Sequence, residues 1–261
     1  MDRKNVKKPT ASLALLLSSL LILGGCASAQ NPRDPWEGFN RTMFSFNEGL
    51  DKVVLKPAAK GYDAALPDPV KLGVSNFFSN VGDVFIAVND LLQGKPKDAA
   101  SDTGRFLINT TVGIFGLFDV ASNAGLEKHE EDFGQTFGRW GVGNGPYVVW
   151  PVIGPRTLRD SFGYAIDTHF DPVWNVSNIP TRNSLILLRV IDARAAALPA
   201  EQVIDEAAID KYSYIRDAYL QNRRSLIYDG NPPAEPDDDG AADTGAAAGD
   251  NATSAAPATQ P

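Results

Sequence analysis

The chain has 261 residues, 43% of them hydrophobic, and a formal net charge of −8 at pH 7. A chain of this size can bury one sizeable core, so we expect a single main domain. The acidic balance excludes a protein that binds nucleic acid through its phosphates. The single cysteine excludes intramolecular disulfides and clusters of metal-binding thiolates.

The first 25 residues have the parts of a secretory signal peptide: basic residues, an apolar run and a pair of glycines. The apolar run over 13–23 is too short to span a membrane. The next residue is Cys26, and Leu23-Gly24-Gly25-Cys26 forms a lipobox. We therefore predict cleavage before Cys26, a lipid on its thiol and a lipidated linker over 26–33. Ala27 is not the aspartate that commonly retains lipoproteins in the inner membrane, which favours the outer membrane.

Residues 34–230 carry repeated helix-start signals and predict a mainly α-helical domain. Asp34-Pro35-Trp36-Glu37 combines an N-cap, a proline and an acid, and it begins an apolar stripe that should end at Lys56-Pro57. Asp68-Pro69 begins the second helix, which is predicted to continue to about Val81. Further helices are predicted over 84–92, which Gly94 should stop, 97–111, 157–168, 182–197 and 204–228.

Glycine and proline are dense from Trp140 to Pro155, so this segment is predicted to be an extended hairpin or a loop. The apolar blocks over 112–120 and 147–153 are shorter than the roughly twenty residues that a spanning helix requires. The many aromatic residues suit helices that lie in one membrane leaflet. They also suit an ordinary helical core, which composition alone favours.

The last segment, 231–261, consists mostly of Ala, Gly, Pro, Thr and acidic residues, without an aromatic or basic side chain. It cannot bury enough apolar surface to fold, so we predict a disordered acidic tail. The run Asp237-Asp238-Asp239 lacks the alternating acids of a calcium loop.

Several motifs together resemble one known family over the range from about 34 to 230. They are Asp34-Pro35-Trp36-Glu37-Gly38-Phe39-Asn40-Arg41, Ser75-Asn76-Phe77-Phe78-Ser79-Asn80, Asn89-Asp90-Leu91-Leu92-Gln93-Gly94, Arg105-Phe106-Leu107-Ile108-Asn109-Thr110-Thr111-Val112-Gly113, Glu131-Asp132-Phe133-Gly134-Gln135-Thr136, Trp140-Gly141-Val142-Gly143-Asn144-Gly145-Pro146-Tyr147 and Gly154-Pro155-Arg156-Thr157-Leu158-Arg159-Asp160. In this order and spacing, the motifs resemble the MlaA/VacJ lipoproteins.

The resemblance implies an all-α, ring-like arrangement of amphipathic helices, monotopic in the inner leaflet of the outer membrane and bound to a trimeric porin. It implies removal of mislocalised phospholipid from the outer leaflet through a polar channel, and transfer to the periplasmic lipid carrier MlaC. It implies no cofactor. A polar passage would spare the charged headgroup the large cost of crossing hydrocarbon.

The resemblance also suggests site residues, each with a simpler alternative. The residues predicted to shape or line the channel at the hairpin, which could instead form a plain turn, are Gly141, Gly143, Gly145, Pro146 and Tyr147. Arg159 and Asp160 are predicted either to meet the headgroup or to cap the helix after Pro155. Phe46 and Asn47 are predicted to control the passage, or to be a core phenylalanine beside a surface amide.

Two rival functions remain open at this stage. A lipid hydrolase has little support, because there is no Gly-x-Ser-x-Gly motif, His129 is predicted to lie in a solvated loop and His169 to be a cap or core residue. No catalytic or metal site is therefore predicted, and Gly141-Val142-Gly143-Asn144-Gly145 lacks the spacing of a nucleotide-binding loop. The second rival is a lipoprotein that only scaffolds porins, which the sequence does not separate from a transporter.

Overall fold

The computed structural model describes residues 32–233, so Cys26, the signal peptide and most of the acidic tail lie outside the described residues. The described part of the chain is mainly α-helical with one two-stranded sheet, which confirms the predicted fold class. Its elements are α1 Glu37–Leu50, a π-helical turn Asp51–Leu55, α2 Lys56–Ala65, α3 Asp68–Gln93, α4 Pro96–Thr111, α5 Val120–Asn123, α6 Phe133–Arg139, β1 Tyr147–Trp150, β2 Gly154–Thr157, α7 Leu158–Phe170, α8 Ile179–Ala196, α9 Leu198–Ala207 and α10 Lys211–Ile227.

The first helix does not end at Lys56-Pro57, so that prediction is wrong. The chain passes through the π-helical turn, in which the Lys56 N–H donates to the Asp51 carbonyl five residues back. Pro57 then stands in the first turn of α2, where its missing N–H is not needed. The start also differs, because α1 follows Trp36 and Asp34 instead accepts a hydrogen bond from the buried Asn40 side chain.

Three other predicted boundaries change, each for a local reason. The helices predicted to start at Asp68 and at Val84 are one 26-residue helix, α3, which ends at Gly94 with φ 80° as expected. The helix predicted over 204–228 is two helices, because Asp210 caps α10 by accepting from the Tyr212 and Ser213 N–H groups. Asn178 caps α8, which starts three residues earlier than predicted.

The hairpin predicted between Trp140 and Pro155 is confirmed. Strands β1 and β2 are antiparallel, with Tyr147 opposite Thr157 and Trp150 opposite Gly154. Helix α4 and helix α7 match their predictions within two residues, and α5 and α6 are short helices that were not predicted. Helix α3 packs along α4, and α8 packs against α2.

The distribution of polar and apolar side chains is partly inverted. Among residues 32–233, seventeen polar or charged residues and eleven hydrophobic ones are buried, while 32 large hydrophobic residues are exposed. Phe115 and Phe118, for example, are 74% and 58% exposed. The ordinary core favoured by composition is therefore small, and it centres on Tyr147, Val149 and Tyr212. No described helix is both long and apolar enough to cross a membrane.

Candidate functional site

A cavity of about 780 Å³ lies between α1, the π-helical turn, the end of the hairpin and helices α8 to α10. This volume falls within the usual range for sites that bind small molecules. Its charged lining residues are four acids and four bases, so the lining is formally neutral: Glu48, Asp51, Glu201, Asp205, Lys52, Lys56, Arg194 and Lys211.

Ion pairs hold most of these charges in place across the cavity. Arg194 Nε lies 2.7 Å from Asp51 Oδ1, and its Nη2 lies 2.6 Å from Glu201 Oε2. Lys56 reaches Glu201 Oε1 at 3.0 Å, and Lys211 reaches Asp205 at 2.8 Å. The hydrogen bond that Arg194 donates to the Asp51 carboxylate is the main cause of the raised pKa of Arg194. The pairs tie the π-helical turn, α2, α8, α9 and α10 together around a charged interior.

Lys52 is the exception among the cationic side chains that line the cavity. It is exposed, and no acidic partner lies within ion-pair distance in residues 32–233. A free ammonium at this position can bind an anionic group without first breaking an internal ion pair.

The hairpin is held on α1 by two asparagines seven residues apart, which places them on one helix face. Asn40 donates to the Tyr147 carbonyl at 3.0 Å and accepts from the Val149 N–H at 2.9 Å. Asn47 repeats this pattern, donating to the Trp150 carbonyl at 2.9 Å and accepting from the Val152 N–H at 2.7 Å. Each side-chain amide thus forms hydrogen bonds with backbone C=O and N–H groups of β1 or its turn, as the backbone of a neighbouring strand would.

Of the residues predicted to control the passage, Asn47 lines the cavity and Phe46 does not. Phe46 is 52% exposed, and Asn47 is partly buried. The alternative of a core phenylalanine beside a surface amide is therefore wrong, because the helix turns the amide toward the hairpin and the ring outward.

The residues predicted at the hairpin lie beside the cavity rather than in its wall. Gly141 and Gly145 have φ values of 90° and 65°, a conformation that favours glycine, and a side chain at Gly141 or Gly143 would meet no neighbouring atom. The Pro146 carbonyl accepts from the Leu158 N–H at 2.9 Å, which closes the base of the hairpin.

Tyr147 is completely buried and is not one of the cavity-lining residues. Its ring packs edge-on against Tyr212 and lies 6.1 Å, centre to centre, from the ring of Tyr219. The Tyr212 hydroxyl donates to Asp34, which also accepts from Arg216 at 3.3 Å. The motif around Asp34 therefore anchors the N-terminal end of the domain to α10.

Arg159 and Asp160 belong to a buried network and do not line the cavity. Arg159 donates to Asn144 Oδ1 at 2.6 Å, which holds the glycine-rich part of the hairpin segment on α7. Asp160 accepts from Arg223 and from the Tyr219 hydroxyl. The side-chain cap of α7 is Thr157, so the capping alternative is wrong for these two residues.

Close packing of α6 on α7 makes this network possible. A Cβ atom on Gly163 would lie 2.3 Å from the backbone nitrogen of Gly134, so neither helix tolerates a side chain at the crossing. Arg223 joins the two helices, because it donates to Asp132 at 2.6 Å and to Asp160 at 3.1 Å. Although burial opposes it, the charges of Arg223 and Arg159 hold the pKa of Asp160 below its ordinary value.

The pKa of one carboxyl beside this network is raised, whereas that of Asp160 is lowered. Burial, followed by repulsion from Asp132, raises the pKa of Asp167 to about 7. Between its ordinary pKa of 3.8 and about 7, the folded protein keeps a proton that the unfolded chain has released. The stability contributed by this carboxyl therefore declines as pH rises through that window.

We expect Asp167→Asn to stabilise the protein at pH 8 by about 1–2 kcal/mol. The pKa shift of Asp167 corresponds to at most about 4 kcal/mol, and solvent screening lowers that figure. At pH 5 the effect should be less than half as large, because the stability of the wild type has declined only over the first part of that window; it should vanish only below pH 3.8. The asparagine oxygen can still accept from the Phe133 N–H, which lies 3.4 Å from Asp167 Oδ1. Thermal unfolding at both pH values checks the prediction, and an equal effect at pH 5 and pH 8 contradicts it.

Sequence reasoning missed most residues that define the cavity. The residues that line it from α9 and its N-cap recur at helical spacing, which is a detectable signal: Ala197, Ala200, Glu201, Ile204 and Asp205. Of the two histidines, neither lines the cavity. His129 is not solvated as predicted but contacts the buried Asp102, and His169 lies exposed in the last turn of α7 rather than in the core.

Comparisons with known proteins agree on one family. The family model for the MlaA lipoprotein matches residues 32–226. An "intermembrane phospholipid transport system lipoprotein MlaA" of Escherichia coli strain K12 is 38% identical over 225 residues, covering 83% of this chain and 88% of the relative. A protein of the same name from Haemophilus influenzae is 33% identical over 231 residues, covering 85% of this chain and 92% of the relative.

A solved structure from work on the "structural basis for maintenance of bacterial outer membrane lipid asymmetry" aligns with a TM-score of 0.66 and 36% sequence identity. The alignment covers 74% of this chain and 98% of that chain. Fold and cavity thus define a helical protein with an apolar exterior and a charged interior. By the extent of these matches, the chain belongs to the MlaA lipoprotein family.

Proposed function

We propose that this protein removes mislocalised phospholipid from the outer leaflet of the outer membrane and passes it through its charged cavity toward the periplasm. The observation that carries the proposal is the charge-balanced cavity inside a protein whose exterior is rich in exposed apolar side chains. A zwitterionic headgroup carries both a phosphate and an amine, and the lining offers groups of both signs. Relatives that bear the name of an intermembrane phospholipid transport system support this assignment.

The energetic argument is that a headgroup cannot cross hydrocarbon without large desolvation cost. The ion-paired lining replaces water for the headgroup, and Lys52 supplies an unpaired cation for its phosphate. The backbone of the hairpin borders the cavity at Val149, Gly154 and Pro155, and irregular backbone at membrane depth is tolerated where it lines a cavity. Asn47, which joins the hairpin to α1, is placed to let the passage open or close as that contact breaks or forms.

The proposed location is the periplasmic leaflet of the outer membrane, with the helices arranged as a ring. Residues 112–118 support this position, because Val112, Phe115 and Phe118 expose apolar side chains. The backbone there is internally bonded, for example from the Phe115 N–H to the Thr110 carbonyl at 2.9 Å. Such a segment can enter acyl chains without exposing unsatisfied groups. A trimeric porin and the periplasmic carrier MlaC are the proposed protein partners.

Lipidation of Cys26 remains part of the proposal. We expect Cys26→Ala to leave the helical domain folded but to release at least tenfold more of it from the outer membrane, because an amphipathic surface alone binds lipid less durably than a surface with acyl chains. Membrane fractionation measures the change. Full retention of the variant would mean that the domain or a porin contact holds the protein instead.

The proposed function is tested by the amount of outer-leaflet phospholipid that an added phospholipase reaches in intact cells. We expect more accessible phospholipid in a strain that lacks the gene, and the wild-type level when the gene is restored. Unchanged accessibility would favour the alternative, a lipoprotein that only scaffolds porins, since a scaffold has no direct effect on leaflet composition.

A further inference from the structure

A second polar cluster lies away from the cavity, where α3, α4 and the segment before α6 meet. Asp83 and Asp90 on α3 and Asp102 on α4 are completely buried. His129, in the segment before α6, places Nδ1 2.7 Å from Asp102 Oδ2. One ligand atom each from Asp90, Asp102 and His129 lies within 4.8 Å of the others.

Asp90 is the unusual member of this cluster. Neither of its carboxylate oxygens has a hydrogen-bond partner in the described part of the chain, although the side chain is fully buried. A buried carboxylate without a donor or a counter-ion is costly, so it signals a missing positive group. Its ligand atom lies within 4.8 Å of the ligand atoms of Asp102 and His129, so the unpartnered carboxylate belongs to a potential three-residue site.

The charges around the cluster leave a defined deficit. Lys128 pairs with Asp83, Lys95 lies 2.7 Å from Glu131, and Arg105 lies 3.1 Å from Asp119. These pairs account for three neighbouring acids and leave the carboxylates of Asp90 and Asp102 facing His129, which lies 2.7 Å from Asp102. A divalent cation that replaces the imidazole proton would balance both carboxylates.

We propose that Asp90, Asp102 and His129 bind a divalent transition-metal ion, for which Zn²⁺ is the probe of choice. A donor set of two carboxylate oxygens and one imidazole nitrogen suits zinc or manganese, whereas calcium and magnesium prefer oxygen donors alone. Neighbouring ligands of tetrahedral zinc are about 3.3 Å apart, so side-chain shifts of about 1 Å complete the site. Asp98 lies 3.8 Å from His129 Nε2 and is placed to orient the ring.

The proposed ion would act as a structural clamp. It would join α3, α4 and the segment that leads into α6, and α6 carries the close contact with α7. The competing explanation is a proton, because burial and repulsion from Asp102 and Glu131 raise the pKa of Asp90 to about 7. If the site binds a metal, added zinc should bind and raise the melting temperature. If a proton is the partner of Asp90, added zinc should do neither.

The test uses the full mature protein, purified in detergent without a histidine tag, stripped with EDTA and returned to metal-free buffer. We expect about one zinc bound per chain by mass spectrometry of the metal, and a rise in melting temperature of about 5–10 °C at a free zinc concentration a hundred times Kd. Asp90→Asn should weaken zinc binding at least tenfold, while His169→Gln, which changes the other histidine, should bind zinc as the wild type does.

Cobalt provides a readout that does not depend on the variant folding. Bound Co²⁺ in the wild-type protein should give visible absorption bands that added Zn²⁺ removes. No bound zinc, no change in melting temperature, or equal zinc affinity in the wild type and Asp90→Asn would each overturn the proposal and leave the proton as the partner of Asp90.

Discussion

Replacing Arg223 with methionine should lower the free energy of unfolding by about 3–5 kcal/mol, the usual cost of leaving buried charges without their partner. Arg223 is 8% exposed and bridges Asp132 and Asp160, which lie on different helices. Without it, the partly exposed Asp132 loses its ion pair and the buried Asp160 keeps only Arg159, where Gly134 and Gly163 allow no adjustment of the helix crossing. Urea or thermal unfolding in detergent measures the loss.

The matched control is Arg139→Met, which removes a surface arginine that lies 3.7 Å from Asp229 and has a side chain 40% exposed. An exposed pair of this kind contributes about 0–1 kcal/mol. If the two variants differed by less than about 1 kcal/mol, the buried network would not hold α6, α7 and α10 together as described.

Placing tryptophan at Ala200 should abolish phospholipid removal while leaving the protein in the membrane. Ala200 lines the cavity from α9, so an indole ring there would occupy the space proposed for the headgroup. We expect outer-leaflet phospholipid to rise to the level of the deletion strain, a change at least as large as that of any single charge removal in the cavity.

Val203→Trp is the control for this variant. Val203 lies on the same helix, is 65% exposed and does not line the cavity, so a larger ring there should leave transport near the wild-type level. Equal loss of function in both variants would point to disturbance of α9 in general. Wild-type function in Ala200→Trp would mean that lipid takes another route.

Most of the fold could be predicted, because local signals fix the helices. Asp68-Pro69 and Gly94 bound α3 as expected, although two helices were predicted between them, and a hairpin does form, with strands from Tyr147 to Trp150 and from Gly154 to Thr157. The error at Pro57 arose because a π-helical turn accommodates the proline, and a turn of this kind depends on longer-range packing.

The candidate site was harder to predict, since its residues come from five separate parts of the chain. Asn47 was identified, but its partners in the hairpin are backbone groups that leave no pattern in the sequence. The sequence predicts either a headgroup contact or a helix cap for Arg159 and Asp160, whereas burial makes them part of a network that supports the fold. Periodicity along α9 could have pointed to Ala200 and Glu201.

The most direct test of phospholipid passage is photocrosslinking of a labelled phospholipid to the purified protein in detergent. A photoreactive amino acid at Ala200, inside the cavity, should capture the lipid, and unlabelled phospholipid should compete. The same group at Gln202, two residues further along α9 and outside the cavity, should not. Capture at Gln202 equal to that at Ala200, or no capture at Ala200, would contradict passage of phospholipid through this cavity.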